Sequence, residues 1–265
     1  NEDPKKIRSE IKKKINKAKL FEVADRSKAI KRAILDLNLG DVLIVAGKGH
    51  ENTQDYGKHK KLFSDKNEIL KNIKIKNKNL SSDIKINILN EIIRSNNISI
   101  KTKINKASIN SKEIKKNDIF FAIKGKNKNG NLYAQEAFKK GASIAVVSSS
   151  KKKPKQIKVK DTLKFLIRAS TMLRENTESN IIAITGSCGK TSLKELVGRT
   201  LNKISSTTYS PKSFNNKYGV PLSLFNLKKN DEFGVFEIGM DRKGEIDYLS
   251  KIIKPDLGVI TNISY

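Results

Sequence analysis

The residues with the clearest chemical potential form one run, Thr185-Gly186-Ser187-Cys188-Gly189-Lys190-Thr191-Ser192. It follows the apolar stretch Ile181-Ile182-Ala183-Ile184 and precedes a segment with Leu193, Leu196, Val197, Thr200 and Leu201. A strand, a glycine loop carrying Gly-Lys-Thr and a helix make a phosphate cradle. Gly186 and Gly189 allow the backbone to curl so that successive N–H groups face one anion, and the helix end adds positive potential. In that arrangement Lys190 reaches the β/γ-phosphates of ATP and the Thr191 hydroxyl is a Mg²⁺ ligand. The commoner spacing has a glycine where this chain has Ile184, so the loop is a shortened variant. The plainer alternative is a βα turn that happens to contain Gly-Lys-Thr.

Two further side chains belong to this chemistry. Cys188 lies inside the loop, where a helix N-terminus and Lys190 could lower a thiol pKa, or where only its backbone matters. Glu237 ends the apolar run Val235-Phe236-Glu237-Ile238. A carboxylate at the C-terminal end of a strand beside a phosphate loop suits Mg²⁺ or water positioning, while the alternative is a charge facing solvent.

The elements that must hold these residues are α/β in character. Helices are expected at 4–17, from Asp25 to about residue 37, at 132–140 and at 161–175, from apolar residues three and four apart with caps at their ends. The helix after the loop should bury Leu193, Leu196, Val197, Thr200 and Leu201 on one face. Strands are expected at 41–46, 119–123, 143–147, 181–184, 234–238 and 257–261, the last three in one sheet. Residues 71–82, polar and without sustained period, read as a linker, and 150–156 as a surface break. The expected fold is three consecutive α/β segments, the last a truncated parallel sheet of P-loop ATPase type.

Composition excludes other classes. The chain has 265 residues and a formal charge of +28. No apolar run approaches the ~20 residues of a membrane helix, and the N-terminus lacks an apolar signal core. One Cys and two His leave no disulfide framework and little room for zinc modules. A cytoplasmic setting follows as the default. The charge invites a nucleic-acid reading, but Arg supplies only eight of the 55 basic residues. Bidentate recognition of bases and phosphates favours Arg, so lysine enrichment together with Asn and Ile points to codon bias.

Thr185–Thr191, Asn215-Asn216-Lys217-Tyr218-Gly219-Val220-Pro221, Phe236-Glu237-Ile238-Gly239-Met240 with Gly244-Glu245-Ile246, and Lys254-Pro255-Asp256 with Val259–Ile263 are ordered motifs. Together they resemble the Mur ligases of peptidoglycan synthesis, most closely the member that adds D-alanyl-D-alanine. Residues 107–147, with Asn110-Ser111-Lys112 where the family has Asp-Ser-Arg, resemble its N-terminal UDP-substrate domain. The first 75 residues, through Glu2-Asp3-Pro4, Asp25-Arg26, Gly47-Lys48-Gly49-His50-Glu51 and Phe63-Ser64-Asp65, are similar to the C-terminal domain of the diaminopimelate-adding member.

The resemblance implies a fusion junction: an amino-acid-binding domain at 1–75, a linker at 76–83, a UDP-substrate domain at 84–176 and an incomplete ATP-binding domain at 177–265. It implies ATP-dependent amide formation through an acyl phosphate on UDP-N-acetylmuramoyl peptide, with neither site complete between residues 1 and 265. Lys190 and Glu237 would be catalytic, with Thr185–Ser192 and Asn262 on ATP and Thr191 and Glu237 on Mg²⁺. Asn215, Asn216 and Ser111 would face substrate, and Gly47 and Glu51 the incoming meso-diaminopimelate. The competing readings are a generic P-loop NTPase, a catalytically incomplete fragment, and a basic nucleic-acid-binding protein.

Overall fold

The computed structural model describes residues 4–14, 20–38, 41–48, 51–55, 60–95, 98–99, 101–125, 128–148 and 155–263. It divides into two units, residues 1–76 and 77–265. Among the described residues no helix is long and apolar enough to cross a membrane.

The first unit contains α1 (Pro4–Lys14), α2 (Arg26–Asp36) and an antiparallel pair, β1 (Thr53–Asp55) and β2 (Lys60–Leu62). Asp25 caps α2, its carboxylate accepting from the Lys28 amide at 2.8 Å, and Ile30 and Ile34 turn inward. Arg26 forms a two-pronged pair with Asp65, Nε to Oδ1 at 2.8 Å and Nη2 to Oδ2 at 2.7 Å, and also reaches the Ala46 carbonyl. The guanidinium holds the Asp65 carboxyl below the usual range, against the opposing effect of burial. The strand expected at 41–46 does not form. Val42 and Ile44 are 86% and 83% exposed, for an apolar run needs a ladder partner and a cover, and β1–β2 is the sheet of this unit among the described residues. Residues 15–17 of the first expected helix, Gly49 and His50, and most of the 150–156 break lie outside the described residues.

The segment 71–82 is helical rather than coil, although the division between the two units falls inside it, after Lys76. These residues belong to α3 (Asp65–Ile93), whose residues to Lys76 lie in the first unit and the remainder in the second. The segment has neither Gly nor Pro between 65 and 93, and lysine is a good helix former, so a polar composition mistaken for coil is compatible with helix. The second-unit portion buries Ile86, Ile88 and Leu89 and, unexpectedly, Lys85. Lys85 Nζ reaches the Asn105 carbonyl at 3.3 Å and lies 5.5 Å from the Phe225 ring centre; burial pushes its amine down to about 8.

The second unit holds two four-stranded parallel sheets. The first, in order β3 (Ala107–Ser108), β4 (Ile119–Phe121), β5 (Ile144–Val147) and β6 (Gln156–Lys158), is crossed by α4 (Ala134–Lys139). Next comes α5 (Thr162–Glu175), capped by Asp161 through the Leu163 and Lys164 amides. The second sheet contains β7 (Asn180–Thr185), β8 (Thr207–Tyr209), β9 (Phe233–Glu237) and β10 (Leu257–Ile260), in spatial order β10-β7-β9-β8. Its helices are α6 (Lys190–Ile204), α7 (Gly219–Phe225) and α8 (Glu245–Ile253). The run Ile-Ile-Ala-Ile of β7 suits a strand flanked on both edges and covered on its faces.

One apolar core runs through this unit, from Phe121 and Val146 through Phe165, Leu166 and Leu173 to Leu224, Phe225 and Phe236. Phe121 and Phe225 meet edge-on at 5.5 Å. Asn226, at the end of α7, behaves like a strand residue: its side-chain oxygen accepts from the Ala107 amide at 2.7 Å and its Nδ2 donates to the Ala107 carbonyl at 3.1 Å. The edge strand of the first sheet is thereby hydrogen-bonded to the end of α7 through one amide side chain.

Helix α6 departs from its expected face. Lys194 and Gly198 are buried, whereas Leu196 is 65% exposed and Thr200 is exposed. Leucine periodicity alone misplaces the stripe because two non-apolar residues occupy the side against the sheet.

Candidate functional site

Parallel sheets collect ligand-binding loops beyond the carboxyl ends of their strands. Here the ends of β7, β9 and β10 meet there. The loop after β7 has Gly186 at φ +134°, and a Cβ on it would lie 2.1 Å from Thr261 Oγ1 and 2.9 Å from the Asn262 carbonyl. Gly189, at φ +79°, caps the start of α6 in a left-handed conformation with open space around it. The first glycine is therefore required by close approach as well as by conformation, the second by conformation alone.

The continuation of β10 brackets the loop. Ser187 N–H donates to the Asn262 carbonyl at 2.9 Å and Cys188 N–H to Asn262 Oδ1 at 3.0 Å, while Thr261 Oγ1 donates to the Cys188 carbonyl at 2.6 Å. Against the expectation that successive loop N–H groups face one anion, Ser187 and Cys188 direct theirs to Asn262. The first-turn amides of α6, from Lys190, Thr191 and Ser192, have no acceptor within the helix and remain as donors. Cys188 is exposed, and its sulfur receives Asn262 Nδ2 at 3.2 Å. Thr185 Oγ1 donates to the Ile238 carbonyl, fixing the strand end. Lys190 Nζ folds over the loop onto the Gly186 and Ser187 carbonyls at 2.5 and 3.3 Å.

Glu237 is 1% exposed, so its carboxylate does not face solvent. Thr191 Oγ1 donates to its Oε2 at 2.8 Å and Asn215 Nδ2 to its Oε1 at 2.9 Å. Loop and strand-end residues separated by 46 positions are thus in direct contact. Among the described residues no three His, Cys, Asp or Glu converge on a common point. A hydroxyl and one carboxylate, both hard oxygen donors, fit Mg²⁺, which ordinarily takes one or two protein ligands and completes its shell with water and phosphate. An open depression of about 440 Å³ adjoins Thr191 and Ser192 along α6, bordered by Glu195, Leu196 and Arg199.

Other expected site residues lie elsewhere. Asn216 is exposed and caps α7, its Oδ1 accepting from the Tyr218 and Gly219 amides at 3.0 Å each. Ser111 is buried at the edge of the first sheet, its hydroxyl donating to Glu136 at 2.8 Å. Gly47 and Glu51 belong to the first unit, where Gly47 has φ +101° and both are exposed. Sequence reasoning missed Lys194, Ser210 and Thr261. A lysine one helical turn after Lys190 was a signal for the first of them.

Comparison with known proteins gives two family matches: the Mur ligase family catalytic domain over residues 103–183 and the Mur ligase middle domain over residues 184–265. The UDP-N-acetylmuramoyl-tripeptide–D-alanyl-D-alanine ligase of Rickettsia prowazekii is 38% identical over 170 residues, 63% of this chain and 38% of that protein. The Bacillus subtilis ligase of the same name is 31% identical over 166 residues, 61% of this chain and 36% of that protein. Among solved structures, MurF from Acinetobacter baumannii superposes with a TM-score of 0.59 at 31% identity, covering 68% of this chain and 40% of that one. MurF from Thermotoga maritima in complex with ADP gives 0.50 at 32% identity, covering 59% and 37%. The chain therefore spans well under half the length of these relatives.

Proposed function

Residues 103–265 belong to the Mur ligase family, and from that premise we propose that the chain serves ATP-dependent amide-bond formation, joining D-alanyl-D-alanine to a UDP-N-acetylmuramoyl peptide. The observation that carries this reading is the contact of Thr191 with the buried Glu237 beneath a phosphate loop, in a chain whose relatives bear that ligase name. The ADP complex of the Thermotoga relative supports a nucleotide in the same loop.

In this reaction the γ-phosphoryl group passes to a substrate carboxylate, and the amine displaces phosphate from the acyl phosphate. The protein's part is positioning and charge neutralisation. Lys190 exchanges its loop carbonyls for phosphate oxygens, and the first-turn amides of α6 point at the same group. Thr191 and Glu237 would hold Mg²⁺, which supplies charge compensation on the β/γ-phosphates when bound. Asn215 orients Glu237, and Asn262 keeps the loop in shape. The first-sheet portion, 84–176, would carry the UDP-substrate end and 177–265 the nucleotide. We assign the work to the cytoplasm, and residues 1–75 to an amino-acid-binding domain for meso-diaminopimelate on the strength of their motif order alone.

The test is ADP release by the full-length polypeptide with ATP, UDP-muramyl tripeptide and D-alanyl-D-alanine, each omitted in turn. Multiple-turnover ADP release should need all three, omission of D-alanyl-D-alanine leaving at most one ADP per enzyme, and Lys190→Ala should abolish it. Hydrolysis indifferent to either acceptor would refute the ligase reading and favour a generic NTPase.

A further inference from the structure

Lysine is almost never fully buried unless its charge is matched. Lys194 is 0% exposed, on the side of α6 that meets the sheet. Its three donors are all used: Ser210 carbonyl at 2.7 Å, Lys212 carbonyl at 2.8 Å and Glu195 Oε1 at 2.8 Å. Two of these acceptors are backbone groups at the start of the segment 210–218, which connects β8 to α7. The partner carboxyl of Glu195 is held below its ordinary range, first of all by the hydrogen bond from Lys194.

The same segment supplies two of the three hydrogen bonds that orient Glu237. Ser210 Oγ accepts the Glu237 amide at 3.2 Å, and Asn215 Nδ2 donates to Glu237 Oε1; the third comes from Thr191. Asn215 is in turn fixed by the Gly239 amide on its carbonyl at 2.7 Å. Lys190, Thr191 and Lys194 thus occupy one turn of α6 and reach, respectively, the loop, the carboxylate, and the segment that aims the carboxylate.

We propose that Lys194 is a positioning residue for the metal-side carboxylate: from inside α6 it anchors residues 210–212, and through Ser210 and Asn215 it sets Glu237 against Thr191. The inference rests on reading Thr191 and Glu237 as the Mg²⁺ pair. A methionine would fill the same volume, yet it would leave the Ser210 and Lys212 carbonyls without their donor and let the segment relax. Groups behind a metal ligand commonly tune metal affinity by 10–100-fold.

The experiment titrates a fluorescent ADP analogue onto the chain, with EDTA and across a Mg²⁺ series, for wild type, Lys194→Met, Asn215→Ala and the double variant. Thermal melts establish folding. Lys194→Met should raise the Mg²⁺ concentration for half-maximal tightening by roughly tenfold, with affinity in EDTA changed less than twofold. The double variant should show less than the product of the single effects, because both act through one carboxylate. Should Lys194→Met not fold, Ser210→Ala removes only the hydroxyl that receives the Glu237 amide and should shift the Mg²⁺ midpoint in the same direction. A lowered melting temperature with an unmoved Mg²⁺ midpoint, or strictly multiplicative effects, overturns the proposal. Wild-type nucleotide binding that ignores Mg²⁺ overturns the site reading itself, and this proposal with it.

Discussion

Replacing Gly186 by alanine separates two things a glycine can supply. At φ +134° an L-residue carries about 1–3 kcal/mol of backbone strain. Its Cβ would also stand 2.1 Å from Thr261 Oγ1, 2.9 Å from the Asn262 carbonyl and 3.0 Å from the Asn262 amide. The hydroxyl can rotate away, but only by giving up its one donated bond, made at 2.6 Å to the Cys188 carbonyl, about 1 kcal/mol. The backbone of Asn262 cannot rotate away, so β10's continuation must shift and release the Ser187 and Cys188 amides. A total of about 2–4 kcal/mol is expected in urea unfolding, with loss of nucleotide binding. Gly189→Ala is the internal control: its φ of +79° costs about 1–2 kcal/mol and nothing lies within reach of the new methyl. Adding Thr261→Ala to Gly186→Ala should recover little, because the hydroxyl's bond is lost in either case and the Asn262 contacts remain. If Gly186→Ala unfolds within about 0.5 kcal/mol of wild type and binds nucleotide normally, the bracket does not constrain the loop.

Three further outcomes are expected. Lys85, lowered to about 8 when folded against about 10.4 unfolded, binds fewer protons in the native state between those values, so stability should rise with pH across 8–10.5 by up to about 3 kcal/mol. Lys85→Met should flatten that rise relative to wild type and raise stability at pH 7, both read by urea unfolding. Asp65, held low by Arg26, contributes stability that is present above about pH 4 and lost as pH falls through its folded value. Arg26→Ala should cost about 2 kcal/mol at pH 7, below the ~3–5 of fully buried pairs because the guanidinium is part-exposed, and should weaken the acid dependence. Asn226→Ala should cost about 2 kcal/mol through the two Ala107 bonds, and Asn226→Asp at least as much, since a second carboxylate oxygen would face the Ala107 carbonyl in place of the donor; denaturant unfolding measures both.

The phosphate loop was legible because its conformation is written locally: strand, two glycines and helix all lie between Asn180 and Ile204. Glu237 was legible as a candidate, but its direction was not, since burial depends on Ser210 and Asn215, which are distant in sequence. The 41–46 run misled because strand formation is a property of partners, and Val42 and Ile44 found none among the described residues. Residues 71–82 misled in the opposite sense, since polar lysines and asparagines are compatible with a helix when no Gly or Pro interrupts. Helix α6 shows the limit of apolar periodicity most plainly. Its inward face is set by Lys194 and Gly198, and only the acceptors waiting across the helix explain why a lysine sits there.

The bracket on the loop also has a temporal side. Thr261 and Asn262 close over residues 185–188 from more than seventy positions downstream. At about 5–20 residues per second, a ribosome reaches them about 4–15 s after it has made the loop. Until β10 pairs with β7, the Ser187 and Cys188 amides lack their acceptor and Gly186 lacks the wall that shapes it. Nucleotide binding therefore waits for β10 and follows the formation of β7 and α6. In a refolding experiment, the return of nucleotide binding would time the docking of β10 rather than the formation of the loop's own strand and helix.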